Sequence, residues 1–360
     1  MVERNKLIKQ FLARNNWENT KINLLAADAS FRKYFRVIDG KKSVILMDAN
    51  PRKENVEKFS FISKKLFLLG FSSPRIIASD FKKGLLLIED FGDITYTKAL
   101  RSGFDENKLY SLATDALIRL HKKTQGKKIP QVSHYNLAAF EAEHRLLVDW
   151  YYPAVKKKNI STSAKKKYLS IWRKLLAKYI TLPNVLVLRD YHVDNLMSLS
   201  GRRGINSCGL LDFQDAVFGP QVYDLVSLLR DSRRNIRPTL VAKMKKRYLR
   251  SFSNINEIEF EENFSVLSAQ RNCKVLGIFV RLYMRDGKSE YIRHLPRVWR
   301  LLKQNLNHES LYPLKLWFEE YLPAPHRKKN KTCNDFVCRI RNSNASIFAK
   351  YTETFAESWG

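Results

Sequence analysis

The chain of 360 residues carries 65 Lys and Arg against 35 Asp and Glu, a formal net charge of +30, with 44% hydrophobic and 12% aromatic residues. That length suits two domains of roughly 150 residues each, and that apolar content excludes a wholly disordered protein. No apolar run reaches the ~18 residues that a membrane span needs, and Met1 to Gln10 lacks the apolar core of a secretory leader, so a cytoplasmic protein is expected. Cys208, Cys273, Cys333 and Cys338 are too scattered for a disulfide framework or a zinc site and are expected to be free thiols. The basic excess raises polyanion binding. It is spread along the chain rather than gathered in one arm, which predicts a Lys-rich surface and no more than non-specific attraction to nucleic acid.

Leu7-Ile8 and Phe11-Leu12 predict a short amphipathic helix ending near Asn15-Asn16. Tyr34 to Ile38 and Ser43 to Met47 predict two strands, with Asp39-Gly40 as the turn. A helix follows Pro51, with Val56, Phe59, Ile62 and Leu66 at helical spacing and Gly70 as its stop. Ile76 to Ala78 and Gly84 to Ile88 read as strands. After Phe91-Gly92-Asp93 helical stripes take over, at 107–121, 138–150 and 164–180, broken by strand-like runs at Val185 to Leu188 and Gly209 to Leu211. Beyond Pro220 helices are predicted at 222–231, 238–252, 264–285 and 296–306. From Pro323 onward periodicity is lost behind a basic cluster, and a weakly ordered tail is expected. The fold class this predicts is α+β, with a small sheet-rich lobe over 1–92, a larger helical lobe over 93–322 and a tail over 323–360.

Two segments carry chemistry. Leu188-Arg189-Asp190-Tyr191-His192-Val193-Asp194-Asn195 follows one apolar strand, and Asp212-Phe213-Gln214-Asp215 ends a second. Two carboxylate-bearing turns at strand ends can face one another across a hairpin. Asp190 can then point at a substrate hydroxyl, while Asn195 and Asp212 offer hard oxygens to one cation. Mg²⁺ suits such a site, because it takes few protein oxygens and the rest from phosphate and water. D-x-x-x-x-N followed by D-F is the layout of phosphoryl transfer.

These segments resemble the aminoglycoside phosphotransferase-like (kinase-like) superfamily. Its N-acetylmuramate/N-acetylglucosamine anomeric kinase branch is the nearer likeness. Asp28 to Val37, Val44 to Ala49, Leu87 to Asp93, Leu211 to Pro220, Tyr223 to Asp231 and Lys274 to Lys288 also fit that branch, so the resemblance covers about residues 7 to 322. It implies a bilobal protein-kinase-like fold and an ATP- and Mg²⁺-dependent phosphotransferase. The acceptor it implies is the anomeric hydroxyl of a small amino sugar in cell-wall recycling.

The resemblance also implies roles. Asp190 is the catalytic base or hydroxyl-orienting carboxylate, with His192 bracing its loop. Asn195 and Asp212 are the Mg²⁺ ligands, with Asp215 and Asp224 in support. Ser30 and Arg32 lie where kinases cover the phosphates, without a glycine there. Glu89, Asp90 and Phe91 lie where an adenine meets the backbone between lobes. The strand Ser43 to Met47 lacks the lysine that kinases pair with the phosphates, which leaves Arg32 and Arg36 as candidate cations. The late block from Lys274 could line an acceptor pocket or form a helix closed by Asp286-Gly287. No G-x-x-x-x-G-K-[ST] motif occurs in the chain.

Overall fold

Strand-forming residues dominate the first ninety positions, and they build one antiparallel sheet. Helix α1 (Val2–Arg14) leads into β1 (Lys21–Ala27), β2 (Arg32–Asp39) and β3 (Lys42–Ala49); α2 (Val56–Leu68), β4 (Ile76–Asp80) and β5 (Leu85–Glu89) follow. The strands order β1-β2-β3-β5-β4. The computed structural model describes residues 2–18, 20–27, 32–181, 184–253 and 255–323. Ser30, Cys333, Cys338 and the tail beyond 323 therefore lie outside the described residues.

Asp39 pairs with Lys42, so the β2–β3 turn is Gly40-Lys41, one residue later than predicted. Gly40 takes φ +56°, a left-handed conformation that glycine adopts without a Cβ clash. Strand alternation gives the sheet two different faces. Val37, Val44, Leu46, Leu85 and Leu87 share a core with Ile8, Phe11 and Leu12 of α1. Arg32, Tyr34 and Arg36 of β2 alternate onto the other face. Ala49, Met47 and Ile45 of β3 stand opposite them. No cation of β3 lies on that second face.

The rest of the chain is mostly helical: α3 (Tyr96–Arg101), α4 (Glu106–Thr124), α5 (Leu137–Leu146), a π-helical turn at Leu147–Tyr151, α6 (Tyr152–Lys156) and α7 (Thr162–Thr181). Then come β6 (Asn184–Val187), β7 (Leu196–Ser198), β8 (Cys208–Leu210) and β9 (Val217–Pro220). They form two two-stranded sheets, β6–β9 and β7–β8. Helices α8 (Tyr223–Leu229), α9 (Pro238–Leu249), α10 (Glu257–Asp286), α11 (Leu295–Asn305) and α12 (Tyr312–Tyr321) complete the chain. Among the described residues no helix is long and apolar enough to cross a membrane.

The chain forms two compact units. One comprises Met1–Ser133, Val185–Phe218 and Ala242–Ser251; the other comprises His134–Asn184, Gly219–Val241 and the described residues from Phe252 on. The boundary expected at residue 92 falls inside the first unit.

In the second unit α10 runs 30 residues and ends at Gly287, φ +70°, so the late block is a helix closed by Asp286-Gly287. Its Lys274 is buried and donates to Glu143 Oε1 at 2.7 Å; Gln270 and Tyr135 donate to Oε2 at 2.8 and 2.5 Å. A carboxylate this buried is tolerable because three donors and an opposite charge replace its water. Trp172, Trp299 and Trp317 are buried, as their apolar stripes predict.

Each unit also buries a neutral histidine. His121 Nδ1 meets Tyr248 Oη at 2.5 Å in the first, and His144 stacks on Trp172 at 4.2 Å in the second. Burial pushes both imidazoles down to about 3. Unfolded histidine titrates near 6.5, so below that pH the unfolded chain gains protons that the folded one refuses. Stability is therefore full above pH 6.5 and falls as pH drops toward 3, by about 1.4 kcal/mol per pH unit for each histidine. His144→Phe keeps the ring stack and removes the proton. Urea titrations between pH 6.5 and 5 should show its stability falling less steeply than the parent's by about that one-proton slope; an unchanged slope would contradict the assignment.

Candidate active site

The site is built on the β7–β8 hairpin. Leu196 pairs with Leu210, Met197 with Gly209 and Ser198 with Cys208. One step further out, Leu211 N donates to Asn195 O at 3.0 Å. This register sets Asn195 and Asp212 side by side at the open end of the hairpin. Asn195 Nδ2 donates to the Asp190 carbonyl at 2.9 Å and to Asp212 Oδ2 at 3.3 Å. Its amide oxygen is not spent on either bond. His192 is buried, with Nε2 3.4 Å from Asn195 Nδ2, and its carbonyl accepts Asn195 N at 2.9 Å. The Asp190 backbone carbonyl, His192 and the side chains of Asn195 and Asp212 thus lie together.

Two members of these loops adopt costly backbone conformations. Arg189 has φ +71° and Asp212 φ +56°. For residues other than glycine such angles cost on the order of 1–3 kcal/mol each and persist where neighbours enforce them. The neighbours are visible. Buried Tyr191 donates Oη to Ala113 O on α4 at 2.9 Å. Buried Phe213 stacks on Phe59 of α2, ring centroids 5.1 Å apart. Anchored side chains on either side hold these turns in place.

Beside the cluster lies a cavity of about 460 Å³, within the first unit. Tyr34, Ile45, Ile88, Phe91, Met197 and Leu211 give it apolar walls, and Glu89, Asp90, Asn195 and Asp212 also line it. An apolar slot with a few polar groups suits a planar, partly polar ligand.

The carboxylates of Glu89 and Asp90 are already engaged. Glu89 accepts from Arg202 Nη2 at 2.5 Å and Arg75 Nε at 3.3 Å. Asp90 pairs with Arg36 Nε at 2.7 Å and accepts from the Gly92 amide at 2.8 Å. Burial works to raise the Asp90 carboxyl, but the Arg36, Gly92 and Ser43 bonds outweigh it and hold it below its usual range. A ligand in the slot therefore meets backbone atoms and apolar side chains at residues 89–91.

The two arginines of β2 have different fates. Arg36 also pairs with Asp93 at 2.8 Å and donates to Gly92 O at 3.1 Å, so it ties β2 to the segment after β5. Arg32, 6% exposed, reaches Asp212 Oδ1 at 3.1 Å and lies 3.8 Å from Glu54 Oε2. Gln214 donates to the same Asp212 oxygen at 2.9 Å. Asp215 is exposed, with Gln214 Nε2 3.4 Å away. Asp224 is fully buried in α8 of the second unit.

Spacing gave no sign of Arg202. It donates to Ser72 Oγ at 2.7 Å, holds Glu89 and sits 5.2 Å over the Phe91 ring. Ser72 O in turn accepts from Leu210 N at 2.7 Å. The segment after β5 is thereby fastened to the β7–β8 hairpin. Cys208, behind it, is an inert free thiol, pushed up to about 11 by burial against the partly offsetting Tyr96 and Tyr191 bonds.

The sequence model of the phosphotransferase enzyme family matches residues 21–259. The N-acetylmuramate/N-acetylglucosamine kinase of Caulobacter vibrioides is 31% identical over 360 residues, covering 91% of this chain and 99% of that one. The protein of the same name from Pseudomonas aeruginosa is 33% identical, covering 77% and 81%. Among solved structures, the choline kinase of Streptococcus pneumoniae aligns with a TM-score of 0.58 at 13% identity, covering 85% of this chain and 100% of its own. A structure of LicA in complex with AMP gives 0.56 at 12%, covering 84% and 98%. These alignments show the kinase-like fold.

Gly209 is where the hairpin is tightest. A Cβ there would lie 2.9 Å from Met197 Cβ and 3.0 Å from Phe91 Cδ2. Gly209→Ala is expected to cost about 1–3 kcal/mol of unfolding free energy in urea titration. A variant as stable as its parent would show that the close approach is dispensable.

Proposed function

Because the chain belongs to the phosphotransferase enzyme family, we propose that it moves the γ-phosphoryl group of ATP to the anomeric hydroxyl of N-acetylmuramate or N-acetylglucosamine. The product is a sugar 1-phosphate, fitting a cytoplasmic step of cell-wall recycling. The observation that carries the reaction type is the meeting of Asn195 and Asp212 beside an apolar slot, with Asn195 bonded to the backbone of Asp190. The acceptor is supported by the names of relatives that align along most of this chain.

In this reading the nucleobase lies in the slot among Tyr34, Ile45, Ile88 and Met197, against the backbone of Glu89 to Phe91. Asp190 orients the acceptor hydroxyl and takes its proton as the new O–P bond forms and ADP leaves. Catalysis then rests on positioning and charge neutralisation more than on covalent chemistry. Asn195 and Asp212, an amide and a carboxylate oxygen, fit Mg²⁺, which would neutralise the phosphates. His192 serves this set by holding Asn195 in place. Ser30 is retained as a phosphate contact on its sequence position alone. Asp215 is a candidate for the outer surroundings of the cation, and Asp224 a scaffold group of the second unit. Functionally, residues 1–92 bind nucleotide and 93–322 supply catalysis and acceptor binding.

ADP release with Mg²⁺, ATP and a panel of sugars and other hydroxyl compounds tests the proposal. Turnover should require N-acetylmuramate or N-acetylglucosamine and fall by about 10²–10⁴ in Asp190→Asn, with melting unchanged. Turnover on a different hydroxyl compound would overturn the acceptor. An Asp190→Asn variant as fast as its parent would overturn the mechanism.

A further inference from the structure

The second face of β3, where a phosphate-pairing lysine would be expected, carries Ile45, Met47 and Ala49. A cation must come from elsewhere, and the neighbouring strand offers two on the same face. Arg36 is held by two carboxylates and a carbonyl. Arg32 stands four residues along, in register with Ala49. Its Nη2 reaches the one carboxylate, Asp212, that the proposed reaction needs for a cation. Its Nε faces Glu54, two residues before α2, at 3.8 Å. Asp212 is 32% exposed while Arg32 is 6% exposed, so the guanidinium approaches the carboxylate from within.

We infer that Arg32 is a placeholder cation. In the nucleotide-free protein it neutralises Asp212; when Mg²⁺·ATP binds, its guanidinium passes from Asp212 to the β- and γ-phosphate oxygens. Glu54 is the positioning residue that keeps it within reach of both. The inference rests on the phosphotransferase reading above and adds to it a reason why one carboxylate can serve two partners in turn. A divalent ion and a guanidinium compete for Asp212 and repel each other there. Bare cation is therefore disfavoured, and cation arriving with phosphate is favoured, because the phosphate gives the displaced guanidinium a stronger, bidentate partner. An arginine suits this exchange better than a lysine, since its planar fork can keep one edge on Glu54 while the other changes partner.

Three readouts without acceptor test it: Mn²⁺ alone by electron paramagnetic resonance, Mg²⁺·ATP by calorimetry and AMP by calorimetry. Arg32→Met, which keeps length and removes charge, should bind Mn²⁺ alone several-fold tighter. It should bind Mg²⁺·ATP on the order of tenfold or more weaker, the loss of a charge-assisted contact. AMP, which lacks the β- and γ-phosphates, should bind within about twofold of the parent. Arg32→Lys should restore part of the Mg²⁺·ATP affinity, and Glu54→Gln should weaken Mg²⁺·ATP without weakening AMP. A structural role alone does not move the metal and the nucleotide in opposite directions. Equal Mg²⁺·ATP affinity in Arg32→Met, or unchanged Mn²⁺ affinity, overturns the inference. Equal loss of ATP and AMP in Arg32→Met also overturns it, with Arg32→Lys showing whether the loss follows charge or packing. A parent protein that binds neither nucleotide overturns the phosphotransferase reading itself, and the inference with it.

Discussion

The pairing of Leu196 with Leu210 carries the site. It is a short ladder, three pairs long, yet it decides which side chains stand at its open end. A slip of one residue would change which residues stand there and break the approach of Asn195 to Asp212. Three features hold the register. Gly209 lets Phe91 and Met197 close over the strand, Tyr191 pins the preceding loop to α4, and Phe213 pins the following one to α2. The left-handed angles at Arg189 and Asp212 are the local cost of this arrangement.

Charge plays a specific part around the slot, apart from the general basic excess. Arg36, Arg202 and Arg75 neutralise Asp90, Asp93 and Glu89, so the rim of an apolar cavity keeps its carboxylates without offering them to a ligand. The same pairs tie β2 and the β7–β8 hairpin to the segment after β5. Burial of these pairs is partial, and their worth lies in fixing geometry more than in stability. Arg32 differs from the other three because its partner, Asp212, belongs to the proposed chemistry.

Much of this was legible in the sequence where pattern and chemistry coincide. The alternation of Tyr34 to Ile38 and the apolar run Val44 to Met47 foretold the central strands. The helical spacing of Val56, Phe59, Ile62 and Leu66 foretold α2. Asp190, Asn195 and Asp212 were visible because their spacing has a chemical meaning. β1 shows no such pattern, since Lys21 to Ala27 is a strand at the sheet edge with exposed Ile22, Leu24 and Leu25 and little alternation. β7 is three residues long and too short to show a period. Arg202 was invisible because its partners, Ser72 and Glu89, are more than a hundred residues away in sequence. The choice between Arg32 and Arg36 needed coordinates for the same reason, as Asp90, Asp93 and Asp212 decide it.

In the proposed reaction the hairpin makes Asn195 and Asp212 one cation site. A double-mutant cycle on Mn²⁺·ATP affinity tests it most directly, using Asn195→Ala, Asp212→Asn and the pair. Asparagine tolerates the left-handed angle at 212, so the second variant keeps the turn. Two ligands of one ion should lose affinity non-additively, with a coupling of about 0.5–3 kcal/mol. Losses that simply add would mean that the two residues act separately, and would contradict the account.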